Sequence, residues 1–118
     1  MKPGEKYPRE IIERFDKFEK MCNIEEINIS VFEDSSYRRD NKIRVIGEVI
    51  GDKLPYDILM VITVHNELGE VIGANFSEGI QAKCFSGIHS FSRNVIVACD
   101  ETISNIKVYP VKNPTVWE

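Results

Sequence analysis

The spacing of apolar residues changes once along the chain, and that change limits the fold more than any other feature. Before residue 26 the apolar side chains recur with a helical period; after it they alternate with polar ones, as strands require. In residues 8–22, Ile11, Phe15, Phe18 and Cys22 are separated by four, three and four positions, forming one stripe of a 3.6-residue helix flanked by Ile12 and Met21. Glu10, Glu13 and Asp16 stand four residues ahead of Arg14, Lys17 and Lys20, an order that adds about 0.3 kcal/mol per exposed pair. Pro8 suits a first helical position, and Asn23 is a residue type that closes helices in the left-handed conformation. These features predict one N-terminal amphipathic α-helix. Its stripe must be buried, either on this chain's own sheet or on a partner or second copy.

The remainder reads as strands. Residues 27–31 alternate around Ile27, Ile29 and Val31; in 43–50, Ile43, Val45 and Val49 share one face and Ile46 and Ile50 the other. Residues 57–66 are the most apolar segment, with Ile58, Met60, Ile62 and Val64 opposite Leu59, Val61, Thr63 and His65, as in a central strand. Asn66-Glu67-Leu68-Gly69 closes a hairpin onto Glu70-Val71-Ile72-Gly73, with Gly69 in the left-handed position. Further strands are predicted at 79–85, 88–98 and 103–111, and Pro110 confines the last one's end to an edge or a bulge. About seven short antiparallel strands give a mainly β chain folded as a two-sheet sandwich. The predicted organisation is an arm at 1–26 with its helix packed on the sheet, a sandwich at 27–112 and a tail at 113–118. The apolar second faces, Ile46, Ile50, Leu59 and Val61, are where that helix is expected to lie.

Within the strands, Gly47-Glu48-Val49, the long apolar run from Val61 to Gly69, Phe91 and Ile106-Lys107-Val108 follow one another in a recognisable order. In that order residues 46–112 resemble the FxLYD-like group of immunoglobulin-like β-sandwich domains in bacterial proteins; Ile62-Thr63-Val64-His65-Asn66 stands where the family's Phe-x-Leu-Tyr-Asp would be. The resemblance implies an immunoglobulin-like sandwich without catalytic residues.

At 118 residues the chain is one domain, and no run of 18 apolar residues exists to span a bilayer. Its 15 Lys and Arg against 19 Asp and Glu give a net charge of -4, the wrong sign for gripping phosphate backbones. Cys22, Cys84 and Cys99 match no zinc or redox spacing, and the N-terminus lacks a secretory pattern, so reduced thiols in a cytoplasm are expected.

Catalytic signals are sparse. His65 is read as capping the adjacent turn, while His89, five residues after Cys84, is the one candidate base for a thiolate. No glycine cluster opens a helix to hold phosphate, no G-x-S-x-G is present, and no cofactor or metal is expected. What remains is a set of contact residues: Ile11, Phe15 and Phe18 on the helix stripe, the basic tip Tyr37, Arg38 and Arg39, and the terminal Trp117. The sequence therefore favours a non-catalytic protein-interaction module, through a protein partner or self-association, with no nucleic acid and no membrane. Two alternatives stand beside it: a thiol-dependent enzyme or redox sensor centred on Cys84 with His89, and a binder of a small apolar ligand between helix and sheet.

Overall fold

The computed structural model describes residues 2–35, 41–98 and 100–114. They form a β-sandwich in which β2 (Ile24–Glu33), β3 (Lys42–Gly51) and β6 (Ile88–Ile96) make one sheet in that order. The other sheet has the order β1-β7-β4-β5, from β1 (Ile12–Arg14), β7 (Asn105–Lys112), β4 (Ile58–His65) and β5 (Val71–Phe76). Every pairing is antiparallel except β1 with β7, which is parallel.

The predicted alternation sets the core. Ile43, Val45 and Val49 of β3 face Ile58, Met60, Ile62 and Val64 of β4 across the interior, joined by Ile27, Val31, Val95, Ile106 and Val108. Each contributes about 1.5–3 kcal/mol when fully withdrawn from water, which is what holds the two sheets together. Gly47 belongs to this inner face because it lies opposite Phe91 in the ladder, and the buried ring occupies the space a side chain would take. The hairpin after β4 forms as predicted, with Gly69 at φ 81°.

The N-terminal helix is much shorter than its periodicity predicts. Arg9–Ile11 is a 3-10 turn, Ile12–Arg14 is β1, and only Asp16–Met21 is α-helical (α1), closed as expected by Asn23 at φ 59°. The expected four-residue ion pairs give way to a bidentate pair five residues apart, Arg14 to Glu19 at 2.7 and 3.1 Å. The physical reason is magnitude: a few tenths of a kcal/mol per exposed pair does not outweigh saturating the edge of β7, whose ladder Ile12–Arg14 completes.

Two further expectations change. Residues 79–85 are not a strand: Ile80 makes an isolated bridge to Ile58 and the chain then coils into a 3-10 turn at Ala82–Cys84. The expected count of seven strands is met only because β1 replaces it. Pro110 is tolerated in an interior strand because β1 stops opposite Val108, so that side of β7 is open by the time the proline is reached.

Residues 4–7 run antiparallel along the end of β2, with Gly4 N–H donating to Glu33 O, Glu33 N–H to Glu5 O and Tyr7 N–H to Val31 O. Pro8, which has no N–H to continue that ladder, is where the chain leaves one sheet and crosses to the other. The crossing is pinned by the Tyr7 hydroxyl donating to Glu33 at 2.6 Å. Burial, the hydrogen bond and the Glu33 charge all push the Tyr7 phenol up. Burial raises Glu33, but hydrogen bonds from Ser35 and Tyr7 outweigh it and hold the carboxyl below its ordinary range.

The sign of the pH dependence follows. Glu33's contribution is present above the unfolded carboxylate range near pH 4 and is lost as pH falls below it; Tyr7's is complete below about pH 10 and is lost above, where the unfolded phenol ionises first. We predict that Tyr7→Phe flattens the alkaline limb of stability above pH 10, measured by urea unfolding across pH. An unchanged limb would refute the assignment.

Candidate functional site

The outer face of the four-stranded sheet carries an apolar row. With Ile106, Val108 and Pro110 turned inward, β7 presents Lys107, Tyr109 and Val111 outward, and register places Tyr109 beside Val61 and Val61 beside Phe76. Helix α1 follows β1 directly, so it sits against this edge and lays Phe15 and Phe18 on Tyr109, with ring centroids 5.4 and 5.7 Å away. Phe18, Tyr109, Val61 and Phe76 thus cross the sheet in one line, with Leu59 and Val111 paired in the next row. Phe18 is 41% exposed, Phe76 58% and the neighbouring Met21 57%.

The helix therefore packs on this chain's own sheet, though it covers one end of the row rather than the whole surface expected. Ile46 and Ile50 lie on the far side of the molecule, outside the three-stranded sheet, because β3 and β4 belong to different sheets. Of the predicted contact residues, Ile11 is half-buried against the core, and Phe15 and Phe18 join the aromatic row. Tyr37, Arg38, Arg39 and Trp117 lie outside the described residues. Tyr109 and Phe76 were missed; the signal was present in the outward parity of the last strand and of the hairpin's second strand.

His65 is structural. Its Nδ1 donates to the Gly69 carbonyl at 3.1 Å, which leaves Nε2 as the acceptor for the Thr63 hydroxyl at 2.9 Å. Asn66 completes the turn: its Oδ1 accepts from the Leu68 and Glu70 N–H groups, and its Nδ2 donates to the Glu70 and Glu101 carboxylates.

Cys84 and His89 line the same small cleft of about 260 Å³, with Ile80, Phe85 and Ile88. The Cys84 thiol is exposed and lies 3.4 Å from Gln81 Oε1, while His89 Nε2 is enclosed with no hydrogen-bond partner among the described residues. Cys22 is buried, and burial pushes its thiol up despite a hydrogen bond with Tyr56. Native-state alkylation is accordingly predicted to modify Cys84 and to reach Cys22 only on unfolding; mass spectrometry of a Cys99→Ser variant reads this directly, and rapid Cys22 labelling would contradict it.

Among the described residues no group of three or more His, Cys, Asp or Glu is arranged to hold a metal ion. A cleft of about 460 Å³ opens at one end of the sandwich between Tyr7, Ile11, Glu33, Lys42, Val97 and Ile103, not beneath the helix where a ligand pocket was expected. In comparisons with known proteins, the chain matches no family model, no curated protein and no solved structure.

Proposed function

We propose that this protein is a non-catalytic interaction module that associates through the outer face of its four-stranded sheet, with a second copy as its partner. The row from Phe18 to Phe76 carries the reading, because aromatic side chains 41% and 58% exposed at its two ends are costly to leave in water. Burying a Phe side chain is worth about 1.5–3 kcal/mol, and a two-fold contact buries both ends of the row on each copy. A molecule measuring 41 × 30 × 26 Å is wide enough for the ~800 Å² per partner of an ordinary stable interface. Sedimentation equilibrium from micromolar to millimolar concentration is expected to show a dimer that Phe76→Ser returns to monomer. A strict monomer throughout, or a dimer indifferent to Phe76→Ser, overturns the reading.

The architecture is proposed to be immunoglobulin-like. The order β2-β3-β6 against β7-β4-β5 corresponds to strands A-B-E against F-C-C′, and the resemblance of residues 46–112 supports the same assignment. In the place of a G strand lies β1, running parallel to β7.

One observation favours a second reading, thiol chemistry at Cys84: the exposed sulfur and the unpartnered His89 nitrogen share a cleft. Under it, Cys84 alkylation stays fast well below neutral pH and slows in His89→Ala. A rate that titrates near pH 8.5 like a free thiol removes it.

A further inference from the structure

The two sheets leave one side of the sandwich open, between the edge strands β1 and β2. Residues 4–7 cover the end of β2 there as a short antiparallel strand, bonded at Val31 and Glu33. Backbone groups alternate in direction along a strand, so the same parity turns the N–H and C=O of Ile29 and Ile27 outward, and none of these has a partner among the described residues. They border an open groove of about 420 Å³ whose floor is Ile12, Ile27 and Ile29. Its rim carries Lys6, Arg9 and Arg14 against Glu26, and the Arg14 charge is already matched by Glu19.

We propose that the free edge of β2 at Ile27 and Ile29 receives an extended acidic segment of another polypeptide, added as a fourth strand to the three-stranded sheet. This rests on the interaction-module reading and gives it a second surface with a partner of stated chemistry. Two arguments select the occupant. The chain's own residues 4–7 show that this edge is completed by extended backbone, and only the departure at Pro8 leaves the remainder unpaired. Lys6 and Arg9 have no ion-pair partner among the described residues and outnumber Glu26 on the rim, so carboxylates are favoured at the rim positions of the incoming strand, while its alternate side chains meet the Ile12, Ile27 and Ile29 floor.

The test uses two synthetic peptides of about eight residues, a typical strand length, one alternating Val with Glu and the other Val with Lys. Amide resonances of the full chain are followed by NMR during titration to millimolar peptide. The Val-Glu peptide is expected to shift and protect the Ile27 and Ile29 amides and to bind at least tenfold tighter than the Val-Lys peptide. Ile29→Pro removes an outward donor at an edge position that admits proline, and lowers that affinity at least tenfold. Lys6→Glu with Arg9→Glu leaves the backbone untouched and reverses the preference between the peptides, which keeps the test decisive if the proline variant does not fold. Equal binding of both peptides, no perturbation of Ile27 and Ile29, or binding unaffected in either folded variant overturns the proposal. Shifts confined to Phe18, Tyr109 and Phe76 also overturn it while leaving the outer-face reading standing. Loss of dimer in Phe76→Ser with peptide binding intact separates the two surfaces the other way. Pairing of β2 with β2 of a second copy, seen as a dimer sensitive to Ile29→Pro and not to Phe76→Ser, would replace the acidic segment as occupant.

Discussion

Replacing Gly47 by valine is expected to destabilise the protein by about 3 kcal/mol, and by alanine about 2 kcal/mol, against the direction of strand propensity. A Cβ at this position would stand 2.3 Å from Cζ and 2.4 Å from Cε1 of Phe91, distances at which one group must move. The ring is only 4% exposed and packs against the core, so its swing is paid in displaced neighbours. Propensity alone would reward either substitution, because glycine weakens strand interiors. The midpoint of urea unfolding decides between the two effects. Phe91→Leu, destabilising by itself, should recover part of the loss when combined with Gly47→Ala, with a coupling above about 1 kcal/mol for residues in direct contact. Additive losses would show that the ring is not what excludes the side chain.

The second large effect is expected at Asn66, where alanine should cost about 2–3 kcal/mol. The side chain is 8% exposed and forms four hydrogen bonds: two from backbone N–H groups within the turn and two to carboxylates, one of them Glu101 on the segment before β7. Aspartate is the informative comparison. Asn66→Asp keeps the acceptor for Leu68 and Glu70 but exchanges a donor for a third negative charge beside Glu70 and Glu101. Its penalty is therefore predicted to be largest near neutral pH and to shrink as pH falls below about 4, where carboxylates take up protons. Thermal melts of the two variants at pH 3.5 and 7 measure this, and a pH-independent difference between them would exclude the three-carboxylate account.

Much of the sandwich was legible because alternation is a local signal. Ile58, Met60, Ile62 and Val64 announce a buried face whichever strand lies beside them, and Asn66 to Gly69 announces a turn with its own chemistry. What was not legible depends on partners remote in sequence. Ile11, Phe15 and Phe18 fit a helical stripe, yet the Ile11 carbonyl accepts from Asn105, 94 positions away, and Ile12–Arg14 completes a ladder with residues 106–108. No periodicity within residues 8–22 encodes that edge. The same limit hid the aromatic row: Phe18 was read from its own stripe, but its neighbours Tyr109 and Phe76 come from two other elements, and only register brings them into line.

The contact between β5 and β6 makes the two flanks of the sandwich unlike. Ala98 N–H donates to Ile72 O, Asn75 Nδ2 to Asn94 O, and Gly73 lies so close to Ile96 that a Cβ would be 2.7 Å from its carbonyl oxygen. The sheets are thereby stitched along this flank by hydrogen bonds, whereas on the opposite flank residues 4–14 cross from β2 to β7 and α1 leads from β1 back to β2. The flank at Pro8 is therefore closed by a chain crossing that contributes no rung to β3-β6 or β4-β7, and substitutions there are expected to expose Ile12 and Ile29 while leaving Val95 buried.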